Sequence, residues 1–444
     1  MGSWLGTVRG VLPRRVTIGV TGLARSGKTA LLTSIAANLL AAGAGLPTLP
    51  ALTVRLGGRP LGVRLAAAGA EGMPRFPAED TLAALVRDPP AWPERTRNVS
   101  LLALDLTIGT PAPLPDRRVR VEFLDYPGEW LLDLPLLGQS FAGWSAQVLR
   151  RLEKLPQAHD FLGFVAALPA GAGRDEALAR AGHRLYAALL VALRAEGRAL
   201  LQPGRFLLAP EGAVPPWMEF FPFPGSGPLA GLLRQRFAAY CAAVRKDLRD
   251  PAFGRVDAVA VLADLLGALH RGEAAFADAA AALGEAGRAV RGRGPGGMPA
   301  WLAGLFGLGL RRVAFVATKA DHVAARQRGN LAALAGSLAV ERGAPAAAHR
   351  ASFAVAAVRC TEDVVWTLEG HPVSAVRGRR RGDDRPGRSW PGEVPDRTPG
   401  AEFWAHPFLD LPDFEPLRPP LGGRGGVPHV ALDALLAFLL EDVL

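Results

Sequence analysis

The feature that most constrains this chain is Gly22-Leu-Ala-Arg-Ser-Gly27-Lys28-Thr29, set between an apolar run from Val16 to Val20 and a helical pattern from Ala30 to Leu40. Strand, glycine loop and helix in that order predict an α/β protein with a phosphate-binding loop. Gly22 and Gly27 let backbone N–H groups turn inward around a phosphate, where a Cβ is expected to crowd the oxygens. The helix beginning near Lys28 adds its positive N-terminal end. Lys28, the first catalytic candidate, is expected to reach the β and γ phosphates as a point charge, and the Thr29 hydroxyl to ligate Mg²⁺. Arg25, inside the loop, either approaches the phosphates in cis or faces outward.

Composition sharpens this reading. Lysine occurs only at Lys28, Lys154, Lys246 and Lys319, and the other 47 of the 51 basic residues are arginine. A chain so biased keeps lysine where a compact charge is needed, since the two cations are not interchangeable at a phosphate. At 444 residues, 49% hydrophobic and 21% charged, the chain is globular and long enough for two domains or for one with a large insertion. Cys241 and Cys360 form no disulfide framework and match no zinc spacing, so a reducing cytoplasm is expected. Much of the net charge of +10 is concentrated at Arg377, Arg379, Arg380, Arg381, Arg385 and Arg388, in a Pro/Gly-rich region. That reads as a solvated basic loop, with a membrane-surface or partner patch as the alternative and nucleic-acid binding disfavoured. No secretory leader is legible at the N-terminus, and Gly6 breaks the myristoylation pattern. No uncharged apolar run reaches spanning length, and Val430 to Leu444, interrupted by Asp433, Glu441 and Asp442, reads as an amphipathic docking helix. Cytoplasmic localisation is expected, with peripheral association at the inner membrane kept open.

Taken in order, Ala41 to Pro93 reads as a long irregular loop with a helix over Ala78 to Val86. Such a loop supplies a first switch, in which Thr or Ser closes on Mg²⁺ and the γ-phosphate. The candidates are Thr96, also a metal ligand, and Ser100, with Trp92 and Arg95 beside them. Val99 to Ile108 and Arg118 to Leu124 predict a hairpin-like strand pair. The second strand ends in Asp125-Tyr-Pro-Gly128, where Asp125 would hold Mg²⁺ through a water and the Gly128 N–H would sense the γ-phosphate. Glu129 follows, and either polarises the attacking water or starts a helix.

From Trp130 to Asp250 helical spacing dominates (Ser145 to Leu155, Asp175 to Leu201, Leu229 to Leu248), an insertion of about 120 residues that needs its own packing. Its aromatic stretch, Pro215 to Pro224, is either core or an exposed docking strip. Strand character returns over Arg255 to Ala263 and again at Arg311, ending in Thr318-Lys319-Ala320-Asp321. This is a variant of the guanine-reading Asn-Lys-x-Asp, in which the Asp carboxylate accepts from guanine N1–H and the 2-amino group, and the Lys stem covers the base. Ser352 to Val358 reads as the last sheet strand, whose end either offers the Ala357 and Val358 N–H groups to guanine O6 or is an ordinary buried strand. The expected division is a first G-domain part over 1–130, a helical insertion over 131–252, and a second part over 253–444, with a Pro/Gly/Arg-rich excursion at 370–427 and a terminal helix packed on the sheet.

With these residues assembled, the chain resembles the YcjX-like family of bacterial P-loop GTPases, associated with stress responses. The resemblance rests on Gly22 to Thr29, Asp125-Tyr-Pro-Gly-Glu-Trp-Leu-Leu-Asp-Leu-Pro135, Gln202-Pro-Gly-Arg-Phe206, Phe315-Val-Ala-Thr-Lys-Ala-Asp-His322 and Pro391-Gly-Glu-Val-Pro395, blocks that run through nearly the whole chain. It implies GTP and GDP binding on a G-domain with a helical insertion. It assigns Ser26, Gly27, Lys28, Thr29 and Ala30 to the phosphates and Mg²⁺, Lys319, Asp321 and His322 to the base, and Trp92 to Thr96 to the first switch. The expected function is slow Mg²⁺-dependent hydrolysis of GTP to GDP and phosphate in a conformational switch, read by a protein effector through the insertion. An ATPase on the same fold and a non-hydrolysing, nucleotide-stabilised adaptor are the alternatives.

Overall fold

A computed structural model of the chain describes residues 14–23, 25–66, 73–94, 99–125, 132–198, 202–207, 214–248, 256–289, 311–341, 349–383, 385–405 and 411–444. The first strand, β1 (Arg14–Gly22), is buried from Val16 onward and runs into the glycine loop, from which helix α1 (Lys28–Gly43) departs. There follow α2 (Pro50–Leu56), β2 (Leu61–Leu65), α3 (Ala78–Val86), β3 (Ser100–Ile108) and β4 (Arg117–Asp125). Beyond a helical region come β5 (Ala258–Ala263), β6 (Arg312–Thr318) and β7 (His349–Val355), completing a seven-stranded sheet of order β2-β3-β4-β1-β5-β6-β7. From β4 to β7 all neighbours are parallel, while β3 runs antiparallel to β4 and β2 antiparallel to β3. Every residue of β5 and β6 is buried, the unbroken pattern of a strand covered on both faces.

Between β4 and β5 lie α4 (Phe141–Leu152), α5 (His159–Ala167), α6 (Glu176–Ala195) and α7 (Pro228–Leu248). Their starts follow local chemistry: the Ser140 hydroxyl accepts from Gly143 N–H, and Asp175 Oδ1 accepts from Ala177 and Leu178 N–H. Phe220, Phe221 and Phe223 are buried, so the aromatic stretch is core rather than a docking strip. Trp144 stacks on Phe237 at 5.2 Å between centroids, and Phe220 meets Tyr240 edge-on at 5.4 Å. This aromatic core is continuous with one face of the sheet, formed by Val259, Val261, Val313 and Phe315. The same face carries α8 (Leu265–His270), α9 (Glu273–Ala289) and α10 (Arg328–Glu341). On the other face α1, α2 and the helix α11 (Leu432–Leu439) cover Ile18, Val20, Phe123 and Val316.

Two sequence expectations are corrected. The segment holding the clustered arginines is not a loop: β8 (Thr361–Leu368), β9 (His371–Arg379) and β10 (Pro386–Ser389) form a second, antiparallel sheet. Arg377 pairs with Glu362 across the strands at 3.2 Å, and Arg379 with Glu415, while Ala375 and Val376 are buried. The ladder to β8 and the buried Ala375 and Val376 make this segment a strand, with Arg377 on an exposed ion pair. Likewise Ala41 to Pro93 holds α2 and β2 besides the expected helix; β2 is a five-residue edge strand whose register, Leu61 opposite Ile108 to Leu65 opposite Leu104, is set by β3. Among the described residues no helix is long and apolar enough to cross a membrane.

One buried charge ties the chain beyond β4 into the helices. Asp133 Oδ1 accepts from Gly204 N–H and Oδ2 from the Tyr240 hydroxyl, both at 2.7 Å, with the Arg205 guanidinium 3.7 Å away. Gln202 Nε2–H donates to Leu132 O at 2.8 Å in the same knot. Burial pushes the Asp133 carboxyl up to about 6 despite these donors. Between about pH 4 and 6 the folded chain therefore keeps a proton that the unfolded chain has released, so this group's contribution to stability falls as pH rises through that window. Asp133→Asn is expected to remove a slope on the order of 1.4 kcal/mol per pH unit. Urea unfolding across that window checks it, and equal slopes in both proteins would contradict it.

Candidate nucleotide site

The parallel strands end along one edge, the place where open α/β sheets take their ligands. At the end of β1, Leu23 N–H donates to Leu262 O of β5 at 3.0 Å. A Cβ on Gly22 would lie 2.4 Å from Leu262 O and 2.7 Å from Ser26 Oγ, so the neighbouring strand already demands glycine there. At Gly27 the demand differs: a Cβ would meet nothing within 4 Å, but φ is 79°, in the left-handed region. Arg25 is exposed with φ 64°, Ala30 is half-buried on the first turn of α1, and no side chain caps that helix. Lys28 Nζ reaches back to Gly22 O at 3.4 Å, across the loop. Ser26 Oγ is buried without a hydrogen-bond partner among the described residues.

The residues assigned to Mg²⁺ supply hard oxygens beside this loop. Thr29 stands on the first turn of α1, and Asp125, 2% exposed, ends β4 in register with Val20 of β1. Ser100 opens β3 directly opposite Asp125, so both side chains leave the same face of the sheet. Ser100 Oγ is also buried without a hydrogen-bond partner among the described residues. A hydroxyl orphaned beside a buried carboxylate fits a hydrated divalent cation, with Thr29 and Asp125 as the residues to hold it. Arg95, Thr96, Gly128 and Glu129 lie outside the described residues.

Two strands along, the Thr318 hydroxyl donates to Ala263 O at 3.3 Å, steadying the end of β6. Lys319 takes a left-handed backbone, φ 59°, and its ammonium meets Asp264 Oδ2 at 2.6 Å. Asp264 in turn accepts from Gly267 N–H at 2.9 Å, capping α8. Asp321 is 1% exposed; its Oδ2 accepts from Cys360 N–H at 2.6 Å and from the Cys360 thiol at 2.9 Å. The Thr361 hydroxyl donates to Asp321 O. Burial raises the Cys360 thiol well above its ordinary range, with Asp321 adding to the effect, and burial lowers the His322 imidazole. His322 Nε2 lies 3.5 Å from Cys360 Sγ, and the ring meets Phe414 edge-on at 5.4 Å.

Ala357 and Val358 follow β7, held by backbone bonds on either side: Ala356 N–H to Val430 O at 3.1 Å and Arg359 N–H to Pro428 O at 2.7 Å. The Ala357 and Val358 N–H groups take no part in these. Trp92 is partly exposed, and its Nε1–H donates to Phe414 O at 3.0 Å. Sequence reasoning missed Asp264, Cys360 and Phe414 as site residues. For Asp264 a signal existed, an acidic residue at a strand's carboxyl end like Asp125. Cys360 and Phe414 carried none, since only the tertiary fold brings them to Asp321 and His322.

A largely parallel sheet covered by helices, its central strand ending in an uncapped glycine loop, defines a protein of the P-loop NTPase fold class. Comparison with known sequences agrees. The sequence profile of the YcjX-like family, DUF463, matches residues 16–444, and the chain belongs to that family. It is 36% identical to the protein named Ras-like GTPase YcjX of Escherichia coli (strain K12), over 98% of this chain and 97% of that one. It is 30% identical to the protein of the same name from Shewanella oneidensis (strain MR-1), over 97% of this chain and 95% of that one.

The loop geometry predicts that Gly22→Ala, which forces a contact with the β5 backbone, lowers stability by about 1–3 kcal/mol, the cost of overpacking. Gly27→Ala, with open space around it, should cost only about 1 kcal/mol through its backbone conformation. Chemical unfolding of both variants checks the order of the two effects.

Proposed function

We propose that the chain binds GTP and GDP and hydrolyses GTP slowly, with Mg²⁺, as a nucleotide-dependent conformational switch. The observation that carries the reading is the placement of Asp321. Its carboxylate is buried past the end of β6, on the edge that also bears the Gly22–Thr29 loop, and only one oxygen, Oδ2, is taken by Cys360. The other oxygen remains to receive the N1–H and 2-amino protons of guanine, donors that adenine does not present in that pattern. The names of the relatives, both Ras-like GTPases, support the same reading.

In this reading the α1 N-terminus, Ser26, Gly27, Lys28 and Thr29 bind the phosphates, and Arg25 and Ala30 border them. Lys28 gives up its contact with Gly22 O to reach the β and γ oxygens. Mg²⁺, when bound, neutralises charge on the β and γ oxygens; Thr29, Asp125 and, from the first switch, Thr96 would hold it. Lys319, fixed by Asp264, lies along the base, with His322 beside it and the Ala357 and Val358 N–H groups toward O6. Trp92, Arg95 and Ser100 complete the first-switch region. Gly128 senses the γ-phosphate, and Glu129 positions water.

A protein effector is assigned to the helical region, read as an insertion over 131–252, which Asp133 ties together through Gly204 and Tyr240. A cytoplasmic location is proposed from the two free cysteines, and a part in the stress response from the resemblance.

Lys28→Ala is expected to weaken GTP binding by on the order of a hundredfold, the loss of a charge-assisted phosphate contact. Asp321→Asn should exchange guanine for xanthine preference. Calorimetry with GTP, ATP and XTP checks both, and ATP binding equal to GTP would favour an ATPase instead. Single-turnover hydrolysis with excess protein tests the chemistry; GTP left intact for hours would leave a nucleotide-stabilised adaptor.

A further inference from the structure

Asp321, His322 and Cys360 each bring a metal-ligating atom to one place, and these three atoms lie within 4.8 Å of one another. We propose that the three residues form a binding site for a thiophilic divalent cation of the zinc class, and that filling it withdraws the Asp321 carboxylate from the base. The second half rests on the function proposed above.

The donor set is one thiol, one imidazole nitrogen and one carboxylate oxygen, which suits zinc and disfavours magnesium. Zinc bonds of about 2.3 Å to sulfur and about 2.0–2.1 Å to nitrogen or oxygen put tetrahedral ligands about 3.6 Å apart. Cys360 Sγ and His322 Nε2 already stand at 3.5 Å. Cys360 Sγ and Asp321 Oδ2 stand at 2.9 Å because the thiol proton bridges them. Metal binding releases that proton to solvent, and the pair then opens by about 0.7 Å to the tetrahedral spacing.

The surroundings hold the ligands in place. Cys360 N–H binds the same Asp321 oxygen, the Thr361 hydroxyl binds the Asp321 carbonyl, and the Phe414 ring packs against His322. Asp321 and Cys360 are 1% exposed while His322 is only partly buried, so an ion enters from the imidazole side. Three protein ligands leave a fourth position for water. The chain would thus sort two cations by donor chemistry, hard oxygens at Thr29 and Asp125 and a mixed soft set at Cys360.

The experiment uses the full nucleotide-free chain titrated with Co²⁺, whose thiolate charge-transfer absorption reports a cobalt–sulfur bond, followed by displacement with Zn²⁺. The band is expected at about one cobalt per chain, and affinity should fall by about tenfold or more in Cys360→Ser and in His322→Ala. His322→Ala, at a partly exposed side chain, keeps the test decisive if Cys360→Ser does not fold. Cys241→Ser, a thiol in the helical core, should leave the band intact. No band at equimolar cobalt, or a band that survives in both variants, overturns the site.

In Mg²⁺ buffer, one equivalent of Zn²⁺ should raise the Kd for GDP by about tenfold or more, through loss of the charge-assisted Asp321 contact to the base, with recovery on zinc-selective chelation. Unchanged GDP affinity with zinc bound overturns the exclusion. Absence of GDP binding to metal-free protein would instead overturn the proposed nucleotide function and leave the cobalt band to decide the site.

Discussion

The architecture depends on the close approach of β1 to β5. Gly22 lies against the Leu262 carbonyl, Leu23 N–H bonds to it, and the next turn delivers Asp264 to the Lys319 ammonium. This line of contacts links the Gly22–Thr29 loop to the Thr318–Asp321 turn. A side chain at Gly22 would push the two strands apart, and the distance between the two halves of the site would grow with them. The glycine is therefore a spacer between strands, whatever the loop binds. Asp264 does comparable work for charge: it caps α8 with one oxygen and holds Lys319 with the other, so the ammonium is positioned by a group that is itself fixed.

A second constraint acts through burial. Asp133 is fully buried among aromatic side chains, and such a carboxylate persists only because each oxygen finds a donor, from the Gly204 backbone and the Tyr240 hydroxyl. The cost of desolvation makes this knot specific. It fixes where the chain leaving β4 enters the helical core, and that core continues onto the sheet without a break. The helices between β4 and β5 therefore share their packing with the nucleotide-bearing sheet, and a shift on one side is felt as strain on the other.

Much of this was legible in the sequence where chemistry is local. The Gly22–Thr29 loop and the Thr318–Asp321 turn announce themselves because backbone geometry and ligand contact both depend on residues a few positions apart. The fully buried strands β5 and β6 show as apolar runs for the same reason. What escaped depends on distant partners. Arg377 and Arg379 are solvated charges as they look, but they hide a strand whose ladder to β8 depends on partners elsewhere in the chain. Cys360 is an isolated thiol until the fold sets it on Asp321, 39 positions away. The edge strand β2 has too few residues to show a period, and β3 alone gives it a register.

The position of β1 has a consequence for how the molecule is made. It sits in the middle of the sheet, yet its neighbours come late: the Thr17 amide bonds to Asp257, 240 residues further along. One flanking strand, β4, precedes the helical region, while the other, β5, follows it. Loops of that length close slowly, and the contacts that reward closure are nearly all non-local. The final shape of the Gly22–Thr29 loop thus depends on a strand far along the chain. A ligand that grips both ends of the site would capture the chain only after β5 and β6 have docked, and would then act as the clasp that holds the finished sheet closed.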